Sequence, residues 1–204
     1  MAVFVGPRLE NLRVPMFPGD LILGIRFLPG ASRVAIGKTG EVLFDKWGPL
    51  QFQLPEMASR LSQLLSKVKN IEEATPILEG IVGSDESDQE VMRGVYAITA
   101  SRGSLRVSDL PEIVGLSERQ FQRRFKTEVG LTPKQYARIC RVRATAIDAV
   151  HAAQANWGEL AAERGFTDQA HLIHEFRTLF GLTPGEFEQS FLPQIEHGNL
   201  RTDI

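Results

Sequence analysis

Residues 117–133 read SERQFQRRFKTEVGLTP and contain the clearest structural pattern in the chain. Ser117, followed three residues later by Gln120, is typical of a capping box, so a helix is predicted to begin here. Apolar residues then recur at every fourth position, as in a buried helical stripe; they are Phe121, Phe125 and Val129. Gly130 is predicted to end the helix, and Pro133 prevents it from continuing.

The opposite face of this helix is polar and basic. Its side chains, at the spacing i, i+3, i+4, i+7, are Arg119, Gln122, Arg123 and Lys126. Arginine pairs with guanine, glutamine pairs with adenine, and lysine neutralises phosphates, so the face has the chemistry of a major-groove reader. Ser117 and Gln120, at the start of the helix, are further candidate DNA contacts. In an isolated helix such a face is more often a solvated surface, but two neighbouring features favour DNA binding.

The first feature is a short apolar helix predicted just upstream, over residues 107–116. Its sequence is VSDLPEIVGL, with Gly115 in the turn before the capped helix. Helix, glycine-containing turn and second helix are the layout of a helix-turn-helix motif. The second feature is an internal repeat, because FKTEVGLTP at residues 125–133 returns as FRTLFGLTP at residues 176–184, displaced by 51 positions. The repeat predicts two helix-turn-helix units.

The second unit repeats this plan with weaker reading chemistry. Asn156 is predicted to cap a short helix, a turn follows at residues 165–168, and the second recognition helix is expected over residues 169–180. Its candidate DNA contacts are Gln169, His171, His174 and Arg177. Glu175 is expected to repel phosphate. Two histidines beside Glu175 could also suggest zinc, but helical pairs of this kind are common without metal, so no metal site is predicted.

Residues 134–152 contain neither proline nor glycine and are predicted to form one long helix between the two units. Arg138 and Arg141 on this helix could face the first unit or the DNA backbone. The predicted divisions of the chain are a β-rich amino-terminal domain over residues 1–82, a linker over 83–90, a DNA-binding domain over 91–192 and a loose tail over 193–204.

The first 50 residues are predicted to be β-rich. Their strand-like runs are residues 3–5, 21–27, 33–36 and 41–44. These runs resemble part of a barrel or jelly roll and are too few to close one. Helices are predicted over residues 54–68 and 71–82, either packed on the strands or forming a dimerisation surface. The predicted fold class is therefore α+β with two domains: a partial barrel with two helices, then an all-α double helix-turn-helix domain joined by a long helix.

Charge is distributed unevenly along the chain, although the 204 residues carry a net charge of only −2. Residues 93–143 hold 11 Lys and Arg against 4 Asp and Glu, a net of +7, whereas residues 144–192 hold 2 against 7, a net of −5. Phosphate attraction is therefore predicted to come mainly from the first unit. The single cysteine excludes an internal disulfide, and neither a signal peptide nor a membrane span is visible, so a cytoplasmic protein is expected.

Catalysis is not predicted. All four histidines lie in the carboxy-terminal part of the chain, so the β-rich segment lacks the ligands of a cupin-type metalloenzyme. No nucleophile–base pair, Cys-rich metal site or phosphate-binding loop is visible, and no cofactor is expected. The alternative to a DNA-binding regulator is a protein-interaction adapter whose helix-turn-helix fold has lost DNA binding.

Residues 112–192 resemble the AraC/XylS type of bacterial transcription regulator. The stretches that carry the resemblance are GLSERQFQRRFKTEVGLTP, KQYARICRVRA, ELAAERGFTDQAHLIHEFR and FGLTPGEFEQSF. The resemblance implies two subdomains that enter successive major grooves of double-stranded DNA, with Arg119, Gln122 and Arg123 reading bases in the first and Gln169, His171 and His174 in the second. It also implies contact with RNA polymerase, and an amino-terminal domain that binds a small-molecule effector or forms a homodimer. Pro111 stands where this family usually has alanine and is tolerable only in a first helical turn.

Overall fold

The computed structural model describes residues 2–13, 24–66, 68, 70–79, 87–152 and 155–196. These residues are mostly helical. The strands are β1 (Val3–Val5) and β2 (Trp47–Pro49). The helices are α1 (Ser32–Ile36), α2 (Gly40–Leu43), α3 (Leu50–Gln53), α4 (Pro55–Leu65), α5 (Ile71–Glu79), α6 (Gln89–Ala100), α7 (Leu110–Val114), α8 (Glu118–Val129), α9 (Pro133–His151), α10 (Trp157–Glu163), α11 (Gln169–Phe180) and α12 (Pro184–Glu196).

The described residues belong to two compact units. Unit 1 takes its residues from Met1–Arg8, Arg13–Tyr96 and Ser108–Pro133, and unit 2 from Leu9–Leu12, Ala97–Val107 and Lys134–Ile204. The amino-terminal helices and the first helix-turn-helix motif therefore fold together in unit 1. Residues 83–86 of the predicted linker lie outside the described residues, and its last two residues already belong to α6.

The predicted partial barrel is wrong for the described residues. Of the expected strands only residues 3–5 form one, and β1 pairs with β2 in an antiparallel two-stranded sheet that aligns Val5 with Trp47. Residues 33–36 and 41–44 fall mainly in α1 and α2, residues 24–27 form no strand, and residues 21–23 lie outside the described chain. Apolar runs this short do not distinguish a strand from a helical turn. Here the Thr39 side chain accepts from the Val42 N–H at the start of α2, which favours the helix.

Both helices predicted for the amino-terminal part are present, as α4 and α5, and residues 80–82 of the second prediction lie outside the described residues. A helix was expected over residues 54–68, and α4 begins with Pro55 in its first turn. The second expected helix is α5, in which Pro76 lies inside the helix rather than at its start. At the other end of the chain, α12 continues through Glu196, and residues 197–204 of the predicted tail lie outside the described residues.

Each unit has an aromatic core. In unit 1, Phe121 and Phe125 are fully buried and meet edge to face with ring centroids 5.4 Å apart. Gly94 lets α6 approach, because a Cβ there would lie 2.7 Å from the Phe121 ring. In unit 2, Phe176 is fully buried and its ring packs against Trp157, Phe180 and Phe187. The predicted inward stripe of α8 is therefore confirmed at its phenylalanines, and in α11 Phe176 is fully buried while Phe180 is partly buried.

Candidate nucleic-acid interface

The first motif begins with α7, which is held by buried apolar residues and a glycine turn. Leu110 and Val114 are buried, and Pro111 lies in the first turn, the position in which proline is tolerated. Arg93 of α6 donates to the Val114 carbonyl at 3.0 Å. Gly115 adopts the left-handed conformation, with φ 74°, and its N–H donates to the Pro111 carbonyl. The turn therefore ends α7 and redirects the chain into α8.

The recognition helix α8 carries the predicted capping box. The Ser117 hydroxyl accepts from the Gln120 N–H, and Gln120 Oε1 accepts from the Ser117 N–H at 3.2 Å and from the Ser117 hydroxyl at 2.8 Å. Both residues were candidate DNA contacts, and both are exposed. The capping hydrogen bonds engage the Ser117 hydroxyl and Gln120 Oε1. Of these two side chains, the amide nitrogen of Gln120 therefore stays available to a ligand.

The basic face of α8 is open to solvent. Its four predicted readers are all exposed and line one surface depression of about 520 Å³, together with Glu118 and Thr132; the four are Arg119, Gln122, Arg123 and Lys126. Within the part of the chain that the structure describes, neither Arg119 nor Arg123 makes an ion pair. Gln122 donates to Glu118 at 2.9 Å, and Lys126 lies 3.5 Å from Glu41. The structure thus brings together on one helix the groups that the sequence predicted would read DNA.

Sequence reasoning missed three residues around this face. Glu118 could have been found, because it precedes Gln122 by four positions and therefore lies beside it on a helix. Thr132 follows the end of α8 and has no periodic signal. Glu41 contacts both Lys126 and the Thr127 hydroxyl, the latter at 3.2 Å, across more than 80 positions of sequence. No local pattern indicates a contact at that separation.

A second arginine on α8 positions the helix instead of facing the depression. Arg124 donates to both carboxylate oxygens of Asp88, at 2.8 and 2.7 Å, and to Glu90 at 2.8 Å. Burial alone would raise the pKa of Asp88, but hydrogen bonds from Arg124 and from the Val91 N–H outweigh it and hold that pKa below its ordinary value. The network fastens the middle of α8 to the start of α6.

The amino-terminal helices fasten the far end of α8. Arg33 of α1 donates three hydrogen bonds, of 2.5 to 3.2 Å, to the buried carboxylate of Glu128. Gly40 of α2 lies directly against the backbone of the helix terminus, because a Cβ on Gly40 would lie only 2.5 Å from the Glu128 carbonyl oxygen and from the Gly130 nitrogen. Unit 1 therefore supports α8 at its middle and at its far end while its basic face stays open.

The helix predicted to be the second recognition helix is α11, which has the predicted bounds and a more engaged surface. Asp168 caps it by accepting from the His171 N–H at 2.7 Å. Gln169, His174 and Arg177 are exposed, as a DNA contact requires. His171 is held at both nitrogens, because its Nδ1 accepts from the Thr167 N–H at 3.3 Å and its Nε2 lies 3.4 Å from Glu175.

Glu175, which was expected to repel phosphate, is buried. Arg138 of α9 pairs with it at 3.2 Å, so the carboxylate is compensated within unit 2. Arg138 and Arg141 were predicted to face the first helix-turn-helix motif or the DNA backbone. Arg138 instead contacts α11, and the Arg141 guanidinium donates to the carbonyls of Gly103, at 2.9 Å, and Gly165, at 3.3 Å. These contacts close the turn before α11.

The described residues contain no group of three or more His, Cys, Asp or Glu side chains that could hold a metal ion.

Cys140 of α9 is a buried thiol. Burial raises its pKa, and burial likewise raises the pKa of the neighbouring Tyr136 to about 12, while the Tyr136 hydroxyl lies 3.0 Å from that of Thr99. A thiol with a raised pKa forms little thiolate at neutral pH, so it is a poor nucleophile. The site therefore fits a small apolar side chain in a helix contact.

Residues 110–190 match the family model described as a helix-turn-helix domain. The match covers α7 to α11 and the first part of α12, and it supports the AraC-like resemblance for this region. The matched region is 81 of the 204 residues, and at the level of the family it supports a DNA-binding domain of a transcription regulator. No curated protein and no solved structure matched the chain. Among the described helices, none is long and apolar enough to cross a bilayer.

Proposed function

We propose that this chain is a sequence-specific regulator of transcription that reads double-stranded DNA chiefly through α8. The observation that carries the proposal is the depression on α8, in which Arg119, Gln122 and Arg123 are exposed side by side. Two guanidinium groups and an amide are the groups that discriminate guanine and adenine in the major groove. A helix capped at its start and fastened at its middle and far end presents them with little loss of backbone freedom on binding.

The net charges of the two helix-turn-helix regions support a dominant first motif. Residues 93–143 carry a net charge of +7 and residues 144–192 a net of −5, so phosphate attraction favours the first. In α11, His171 is already engaged within its own unit, which leaves Gln169, His174 and Arg177 as contacts. We propose that α11 reads an adjacent major groove with fewer base contacts, an idea that rests on the sequence repeat.

Partners other than DNA are proposed from the resemblance alone. A regulator of this kind would contact RNA polymerase, and its amino-terminal segment would bind a small-molecule effector or form a homodimer. The contacts of α1 and α2 with α8 support a role for that segment in DNA binding, because Glu41 pairs with Lys126 on the reading face.

The test begins with selection of bound sites from a random pool of DNA duplexes by the full chain. Affinity for a selected duplex is then measured by fluorescence anisotropy over a series of salt concentrations. Arg123→Ala is expected to weaken binding by roughly 5- to 150-fold, the range for loss of a bidentate base contact. The matched control is Arg60→Ala, which removes the same charge from an exposed position on α4 and is expected to leave affinity within about twofold.

Two results would contradict the proposal. Failure of the full chain to enrich any duplex would favour a protein-interaction adapter instead. Equal affinities of the Arg123→Ala and Arg60→Ala variants would show that α8 is not the reading helix.

The role of α11 has a test of its own. Protection of one groove segment only, in a footprinting experiment, would leave the first motif as reader and contradict the role of α11.

A further inference from the structure

Glu118 is an acidic residue within the basic depression. It is the first residue of α8, it is exposed, and it lines the depression together with Arg119, Gln122, Arg123 and Lys126. Its Oε1 accepts a hydrogen bond of 2.9 Å from Gln122 Nε2. DNA phosphates repel a carboxylate, so Glu118 weakens the attraction of this surface for DNA. We therefore ask which contact of Glu118 could favour DNA binding in return.

The hydrogen bond fixes which way the Gln122 amide points. An ionised carboxylate has only acceptor atoms, so the amide must turn its nitrogen toward Glu118. If the amide rotated by half a turn, Gln122 Oε1 would face the carboxylate and two acceptors would oppose each other. In the fixed orientation one Nε2 hydrogen is used by Glu118, while the other hydrogen and Oε1 remain for a ligand.

That remaining pair of one donor and one acceptor suits adenine. Adenine presents the N7 acceptor and the N6 amino donor in the major groove, and a glutamine amide pairs with both at once. An amide free to rotate could instead turn its nitrogen toward the O6 acceptor of guanine. Restricting the rotation therefore narrows the choice of base.

We propose that Glu118 is a positioning residue for base readout: by holding the Gln122 amide in one orientation it restricts Gln122 to an A·T pair. The proposal rests on the proposed function, because it requires α8 to read the major groove. A purely structural Glu118, favourable in the first helical turn because of the helix dipole, would change helix stability and leave base preference unaltered.

The experiment measures base preference rather than affinity alone. The full chain is bound by fluorescence anisotropy to four duplexes that differ only at the base pair whose preference is lost in Gln122→Ala. The wild-type protein is expected to favour A·T there by at least about fivefold. Glu118→Ala is expected to reduce this ratio to below about twofold, while binding to all four duplexes strengthens because a repulsive charge has gone.

Glu118→Asp is the matched control for charge. It keeps the carboxylate in the first turn but is shorter by one methylene group, so it cannot reach Gln122 in the same way. Its base preference is expected to relax as in Glu118→Ala without the gain in overall affinity. Circular dichroism of each variant shows whether the helices remain folded.

The double variant Glu118→Ala/Gln122→Ala separates the roles of the two side chains. It is expected to show the same base preference as Gln122→Ala alone, because Glu118 acts through Gln122. A further change in preference in the double variant would mean that Glu118 reads a base itself and would overturn the proposal. So would an unchanged A·T preference in Glu118→Ala and Glu118→Asp, or a Gln122→Ala variant that loses preference at no base pair. Failure of the proposed function is a distinct result, since the wild-type protein would then bind none of the duplexes.

Discussion

The contact between Arg33 and Glu128 gives a sharp prediction about how α8 is supported. Arg33→Ala removes the guanidinium that donates three hydrogen bonds to the Glu128 carboxylate. The Glu128 residue is only 8 % exposed, so the variant leaves a carboxylate with little access to water and without its cationic partner. We expect a substantial loss of folding stability.

The size of the loss follows from the burial of the two partners. Removing one partner of a fully buried ion pair costs about 3–5 kcal/mol. The Arg33 side chain, however, is 55 % exposed, so water can enter the space that the guanidinium leaves and screen the charge. A loss of about 2 kcal/mol in the free energy of unfolding is therefore expected.

The assay is urea unfolding of the full chain, followed by far-ultraviolet circular dichroism and by tryptophan fluorescence. Trp47 lies in unit 1 and Trp157 in unit 2, so emission reports on both units. Arg60→Ala is the control for loss of an exposed arginine and should change stability by less than about 0.5 kcal/mol. The double variant Arg33→Ala/Glu128→Gln should be more stable than Arg33→Ala, because a neutral amide is easier to leave buried than an ionised carboxylate.

Two outcomes would refute this reasoning. If Arg33→Ala lowered the unfolding midpoint no more than Arg60→Ala does, Glu128 would not depend on its partner. If the Glu128→Gln change gave no recovery in the Arg33→Ala background, the loss would come from packing of the arginine stem rather than from the uncompensated charge.

Three further variants, one of them with a matched control, test other contacts by urea unfolding. Gly40→Ala should cost more than about 2 kcal/mol because its Cβ would collide with the backbone at the end of α8, whereas Gly185→Ala, where nothing lies within 4 Å, should be neutral or stabilising. Asp88→Asn should be less stable than the wild-type protein at neutral pH. Because the native pKa of Asp88 is lowered, the difference in free energy of unfolding should persist above pH 3.8 and shrink as the pH falls below that value. A difference in free energy that grew on acidification would contradict this prediction. Arg141→Lys should lose about 1–2 kcal/mol, since one ammonium cannot replace the guanidinium that reaches both Gly103 and Gly165; equal midpoints would refute the structural role.

Both recognition helices could be predicted because their signals are local. The bounds of α8 follow from a Ser117 cap and a Gly130 stop only 13 positions apart. Those of α11 follow from the predicted turn at residues 165–168 and from the repeat, which places a glycine directly after residue 180. Hydrogen bonds of a cap connect residues three positions apart, and a buried stripe repeats every turn. A single sequence contains this information without knowledge of the rest of the fold.

The amino-terminal part could not be predicted in the same way. The runs at residues 33–36 and 41–44 are four residues long, too short to show a helical or a strand period, and Gly37 ends α1 between them. The grouping of α1 and α2 with α8 in one unit depends on Gly40 reaching the end of α8 and on Arg33 reaching Glu128, 95 positions away.

The sequence by itself determined the two recognition helices, their buried aromatic sides and the basic face of the first, because caps and helical periods act over a few residues. Tertiary structure decided which polar groups on those helices remain available. Arg124 and Arg141 are engaged by partners 36 and 38 positions away along the chain, whereas Arg119 and Arg123 stay exposed. The physical reason is that an ion pair or a hydrogen bond depends on distance in space, and folding brings together residues whose separation along the chain carries no signal.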